Sequence, residues 1–164
     1  MSELSTASER LENLKEYKTS ILDNFKVMKE TVTKDITLDT IRLDDESLRS
    51  PKVHNRWLSE LSEASFLYTQ LKNSQKKLEL ERWKYYMGKQ TDQYYAQYGI
   101  VHEKSLKTDL DKYLKADDYI IEMSEVVEAQ SIVVEFLEKT VKDISNRSFS
   151  IQNAINWRKF EAGS

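Results

Sequence analysis

Backbone breakers are almost missing from this chain, and that constrains its fold more than any other feature. Among 164 residues there are three glycines (Gly88, Gly99, Gly163) and a single proline (Pro51). Tight turns and hairpins draw on both residue types, so long helices with few turns are the expected product. The expected fold class is all-α, with long helices in a helical bundle or coiled-coil arrangement. An apolar fraction of 39% and a charged fraction of 32% allow one domain, or one domain with an appendage, around a modest core. Cysteine is absent, which excludes a disulfide framework, a zinc–thiolate site and a cysteine nucleophile, and fits an intracellular setting. No apolar run approaches the roughly 20 residues of a membrane-spanning helix, and residues 1–20 are too polar for a signal peptide. No membrane partner is expected.

Punctuation and apolar spacing together divide the chain into six segments. From Ala7 to about Thr33, apolar residues at Leu11, Leu14, Tyr17, Ile21, Phe25, Met28 and Val32 recur every three or four positions, one face of a helix. Ser5, Ala7, Ser8 and Glu9 form its polar start. Lys34 to His54, with Asp44, Asp45, Ser50 and Pro51, reads as a connector containing one turn of helix at most. His54 to Met87 carries a heptad seam of Trp57, Leu61, Ala64, Tyr68, Leu71, Leu78 and Tyr85, interrupted by Gln75 and Arg82. Gly88 ends that helix as a C-terminal glycine does. Gly88 to Gly99 is a tyrosine-rich polar linker. Ile100 to about Ile144 has no breaker and reads as one very long helix or two in close succession, with Leu106, Leu110, Tyr113, Ile120, Val127, Val134, Leu137, Val141 and Ile144 on its apolar face. A final helix is expected from about Ser148 to Ala162, capped by Ser148 or Ser150.

Charge is segregated along these pieces. The chain carries −3 overall, yet from Leu71 to Lys89 the six cations Lys72, Lys76, Lys77, Arg82, Lys84 and Lys89 face only Glu79 and Glu81, a local +4. Trp83, Tyr85, Tyr86, Tyr94, Tyr95 and Tyr98 are interleaved or follow directly. Cations attract a phosphate backbone and flat rings offer stacking faces to unpaired bases. Lys72, Lys76, Lys77, Arg82, Trp83, Lys84 and Lys89 are therefore the candidate single-stranded-DNA site. Tyr94, Tyr95 and Tyr98 are further stacking candidates, whereas Trp57, Tyr68 and Tyr85 sit at heptad spacing and are expected to pack. Arg82 points along the seam, so a buried ion pair, with Glu81 or Glu79 of a neighbouring subunit, is its other reading. Conversely, Ala116 to Glu138 holds seven carboxylates and no Lys or Arg, a surface suited to a basic protein partner.

The apolar stripe widens in the second half of the long helix, which implies more than one packing neighbour and hence subunit contacts. In the terminal helix Ile151, Ile155, Trp157, Arg158 and Phe160 are expected to serve oligomerisation. His54 and His102 have no paired ligand spacing, so no metal is expected. No phosphate-binding glycine loop, serine elbow or histidine dyad is present; neither a cofactor nor an enzymatic role is expected.

Five segments carry a family resemblance. The tail from Ser145 to Ser164, through Arg147, Phe149, Ile151 and Arg158-Lys159-Phe160-Glu161-Ala162-Gly163, resembles the C-terminus of the UvsY recombination mediators of tailed bacteriophages. Arg82-Trp83-Lys84-Tyr85-Tyr86-Met87-Gly88 is similar to that family's segment in which an Arg shortly precedes a Tyr pair and a Gly. Lys34-Asp35, Arg56-Trp57-Leu58 and Glu103-Lys104-Ser105 follow in the family's order. The family's DNA-contacting Lys-x-Arg-Leu pattern is met at Arg82, while its Lys position is Leu80 and its Leu position is Trp83, leaving Lys76, Lys77 and Lys84 to supply the charge. The resemblance implies residues 34–164 as a helical domain with a C-terminal oligomerisation helix. Residues 1–33 are then an N-terminal amphipathic helix whose first twenty or so residues extend beyond the family pattern. It further implies a homo-oligomeric ring, a hexamer or heptamer, in the cytoplasm of an infected bacterial host. Such a ring would bind single-stranded DNA and load a UvsX-type recombinase onto DNA covered by the phage single-stranded-DNA-binding protein. The alternative class is a structural coiled-coil adaptor without nucleic-acid binding, and the salt dependence of DNA binding separates the two.

Overall fold

A computed structural model describes residues 6–100 and 109–163. His102, Leu106, the Glu103-Lys104-Ser105 motif and Ser5 lie outside the described residues. Five helices follow in order: α1 (Ala7–Ile36), α2 (Leu43–Tyr86), α3 (Asp92–Tyr98), α4 (Leu110–Lys115) and α5 (Asp118–Glu161). No strand occurs among the described residues, as the scarcity of breakers implies.

The start of α1 is set by a capping box. The Thr6 hydroxyl accepts from the Glu9 backbone N–H at 3.3 Å, while the Glu9 carboxylate accepts from the Thr6 N–H at 2.6 Å. Between α1 and α2 only residues 37–42 are non-helical. Asp39 organises them, its Oδ1 accepting from the N–H groups of Ile41 (2.9 Å) and Arg42 (3.4 Å).

Three expectations are corrected here. The connector expected from Lys34 to His54 is mostly helix, since α2 starts at Leu43 and passes through Pro51. Leu43, Glu46, Ser50, Val53 and Trp57 are all buried at steps of three and four, so this stretch already belongs to the seam. Pro51 itself is exposed, and packing on the other face outweighs the hydrogen bond it omits. Likewise, no separate terminal helix begins at Ser148. α5 runs unbroken to Glu161, with Ile144, Arg147 and Ile151 buried on one face. The Ser145 hydroxyl bonds back to the Val141 carbonyl at 3.0 Å, which lets a serine sit inside the helix. The linker expected at Gly88–Gly99 contains α3, whose N-cap Thr91 accepts from the Tyr94 N–H.

The chain forms two compact units. The first contains residues 6–22 and the described part of 67–130. Leu78, Met123 and Val127 form its buried centre, with Leu14, Tyr68, Leu71 and Tyr119 packed against it. Gln75, polar on the seam, is accommodated by a bond from its amide to the Ser124 hydroxyl at 3.0 Å.

The second unit contains residues 23–66 and 131–163. Val32, Leu43, Val53, Trp57, Val133, Leu137, Ile144 and Ile151 are buried in it, and the Phe25 and Phe136 rings meet edge to face at 5.2 Å. Asp35 ties its helices together, accepting from the Trp57 indole at 3.1 Å, Arg56 at 2.9 Å and Arg49 at 3.3 Å. Arg147 forms a buried ion pair with Glu46 and donates to the Asp35 carbonyl at 2.8 Å.

Candidate nucleic-acid interface

Unit 1 presents the basic half of α2. Lys72, Lys76, Lys77 and Lys84 are exposed on the helix, and Lys89 is exposed just beyond its end. At about 100° per residue, Lys72, Trp83, Lys76, Lys84 and Lys77 fall within an arc of about 140° opposite the apolar seam. Lys72 to Lys84 spans about 18 Å along the axis. Among the described residues, none of these lysines has an ion-pair partner within 4 Å, although two lie over rings. The Lys89 ammonium sits 4.9 Å from the Trp83 ring centroid and that of Lys72 sits 5.4 Å from Tyr68. Trp83 is half-buried. An unpaired lysine arc beside a half-buried indole is an arrangement that attracts a phosphate backbone and offers a ring to a base.

Arg82 does not share that surface. It is 5% exposed, and of its two sequence readings the buried ion pair is the one observed. The partner is Asp117 of the same chain, with Nε to Oδ2 at 2.7 Å, and not Glu79 or Glu81. Asp117, 2% exposed, is saturated. Its Oδ2 also accepts from the Tyr86 hydroxyl at 2.9 Å, and its Oδ1 caps α5 through the N–H groups of Tyr119 (3.0 Å) and Ile120 (3.1 Å). Around the guanidinium stand the rings of Tyr85 (4.2 Å), Tyr119 (4.9 Å), Tyr98 (5.4 Å) and Tyr86 (5.5 Å). Burial alone would lower the Arg82 pKa; the hydrogen bonds with Tyr94 and Asp117 outweigh it and keep the group charged.

The same cluster takes up the tyrosines expected to stack bases. Tyr94 lies on Tyr98 with centroids 4.3 Å apart, and Tyr95 lies on Tyr85 at 5.7 Å. The Tyr94 hydroxyl accepts from Arg82 at 3.3 Å and donates to Glu81 at 2.9 Å; that of Tyr95 donates to the Tyr85 carbonyl at 3.1 Å. These rings dock α3 against α2, which leaves Trp83, half-buried beside the lysine arc, as the stacking candidate outside the cluster. Burial, then the bond to Asp117, pushes the Tyr86 hydroxyl up to about 12, and burial also raises Tyr94 above its ordinary value.

The residues expected to oligomerise divide in the same way. Ile151 is buried within unit 2 and Ile155 is half-buried. Arg158 donates to the carbonyls of Thr40 and Ile41, fastening α5 to the α1–α2 link. Trp157 and Phe160 are 63% and 75% exposed, with centroids 5.8 Å apart. Phe149 is also exposed, earlier on the same helix. Among the described residues there is no group of His, Asp or Glu that could hold a metal ion, and no helix long and apolar enough to cross a membrane.

Comparison with known proteins agrees with this architecture. The recombination protein uvsY of Enterobacteria phage T4 is 23% identical over 137 residues, 83% of this chain and 96% of that protein. A crystal structure of the phage T4 recombination mediator protein UvsY, lattice type II, superposes with a TM-score of 0.73 at 20% identity, covering 84% of this chain and 96% of that one. The lattice type IV structure gives 0.73 at 19% identity, over 83% and 98%. The fold is therefore shared. The sequence pattern of the family described as "Recombination, repair and ssDNA binding protein UvsY" matches residues 31–164, most of the chain, and the chain belongs to that family.

Proposed function

We propose that this protein is a recombination mediator that binds single-stranded DNA on the basic face of α2 and helps load a UvsX-type recombinase onto strands covered by the phage single-stranded-DNA-binding protein. The observation that carries this reading is the arc of exposed, unpaired lysines (Lys72, Lys76, Lys77, Lys84) with Trp83 and Lys89 at its end. Phosphates displace counterions from the lysines, and a base lies on the indole. Arg82 supports the surface from behind by holding α2 to the start of α5. The work is binding alone, without cofactor or covalent chemistry, in the cytoplasm of the infected host.

The working form is a homo-oligomeric ring, a hexamer or heptamer, with residues 34–164 as the ring-forming domain. The exposed pair Trp157 and Phe160 supplies a subunit contact, because aromatic patches of this kind are rarely left open on a monomer. The acidic face of α5 carries the contact to a basic partner protein.

Charge reversal tests the site. Lys77→Glu with Lys84→Glu should flatten the salt dependence of single-strand binding by about 1.4 in log–log slope and weaken binding about 25-fold near 0.1 M salt. The same variant should fail to speed recombinase assembly on covered strands. Unchanged affinity and slope would remove α2 as the binding surface. An oligomer that binds no DNA at low salt would establish the adaptor alternative.

A further inference from the structure

Residues 7–30 of α1 precede the segment matched to the family, which begins at residue 31. They deliver one charged group to the basic helix. Arg10 grips Glu81 with both guanidinium nitrogens, Nη1 to Oε1 at 2.5 Å and Nη2 to Oε2 at 3.1 Å. Nη1 also donates to the Tyr98 hydroxyl at 3.0 Å, and the Tyr94 hydroxyl donates to Glu81 Oε1 at 2.9 Å. Both carboxylate oxygens are thus occupied from outside α2.

Position makes that matter. Glu81 lies four residues after Lys77 and three before Lys84, the two spacings at which a carboxylate and a lysine on one helix face meet. A free Glu81 would pair with either and cancel a positive charge that faces the strand. Instead neither lysine has an ion-pair partner among the described residues. Burial raises the Glu81 pKa, but the bonds from Arg10 and Tyr94 outweigh it and hold the group below its ordinary value. Glu81 therefore stays anionic at neutral pH, with its charge engaged by Arg10.

We propose that Arg10 is a positioning residue of the single-strand surface: by sequestering Glu81 it keeps Lys77 and Lys84 available to phosphate. The inference rests on the reading of α2 as the DNA face. It assigns to the segment ahead of the family match a role in tuning the charge of that face without touching the strand.

The test compares the full-length chain with Arg10→Gln, Glu81→Gln and the double variant, by fluorescence anisotropy on a labelled dT oligomer across a salt series. Circular dichroism melts check each fold. Arg10→Gln should lose one phosphate contact, flattening the slope by about 0.7 and weakening binding about fivefold near 0.1 M salt. Glu81→Gln should bind at least as tightly as the parent. The double variant, which has the parent's net charge and no carboxylate to trap a lysine, should return to within about twofold of it. A double variant as weak as Arg10→Gln would mean that Arg10 touches DNA itself, and parental binding by Arg10→Gln would mean that Glu81 traps nothing; either overturns the proposal. If Arg10→Gln melts, the double variant decides alone by its slope. A parent chain that binds no single strand would bring down the functional reading first.

Discussion

The residue with most at stake is Arg82. Its polarity on an apolar seam is visible in the sequence, yet its partner Asp117 lies 35 residues on, beyond any helical spacing rule. Asp117 serves at once as counter-ion and as cap of α5, so losing either partner strands a buried charge. Asp117→Ala should lower unfolding free energy by about 3–5 kcal/mol in urea titrations, a loss too large for a surface pair. Alkali tests the same cluster. Tyr86, raised to about 12 when folded against 10.0 unfolded, favours the folded state fully below pH 10. As pH rises from about 10 towards 12 the unfolded chain ionises first and that contribution is lost. Thermal melts should show midpoints falling above about pH 10, and Tyr86→Phe should blunt the fall. The aromatic richness of residues 83–98 was legible, but not the division of labour within it. Stacking of Tyr94 on Tyr98 depends on α3, which no period in a short polar segment announces.

Helix ends follow tertiary packing more closely than local propensity. Pro51 reads as a stop, and Ser148 or Ser150 reads as a new start, yet α2 and α5 continue through both places. In each case a buried face with steps of three and four is the deeper signal: Leu43, Glu46, Ser50, Val53 and Trp57 in α2, and Ile144, Arg147 and Ile151 in α5. Two of the α2 positions and one of the α5 positions are polar, which hid the period from a count of apolar residues alone. Glu46 and Arg147 are buried because they pair with each other. Since Pro51 is exposed and only interrupts the backbone ladder, Pro51→Ala should stabilise the protein by about 1–3 kcal/mol, read as a higher denaturation midpoint at unchanged slope. A loss of stability would mean that the proline shapes a bend the packing needs.

At the scale of the molecule, an acidic chain carries a basic face, and the local charge of residues 71–89 already pointed to it. What the sequence left open was which cations reach solvent, and burial decides this: the lysines are out and Arg82 is in. The exposed aromatics of α5 belong to the same scale. Trp157→Ala with Phe160→Ala should shift the mass seen by light scattering towards smaller species, with helicity retained; an unchanged mass would place the subunit contact elsewhere. The central claim is that the lysine arc of α2 holds a single strand. It is tested most directly by anisotropy of a labelled poly-dT oligomer across a salt series, with a duplex of equal length as control. The account predicts binding that prefers the single strand and falls steeply with salt, at about 0.7 in log–log slope for each phosphate held. Binding that ignores salt, favours the duplex, or is absent at low salt would contradict it.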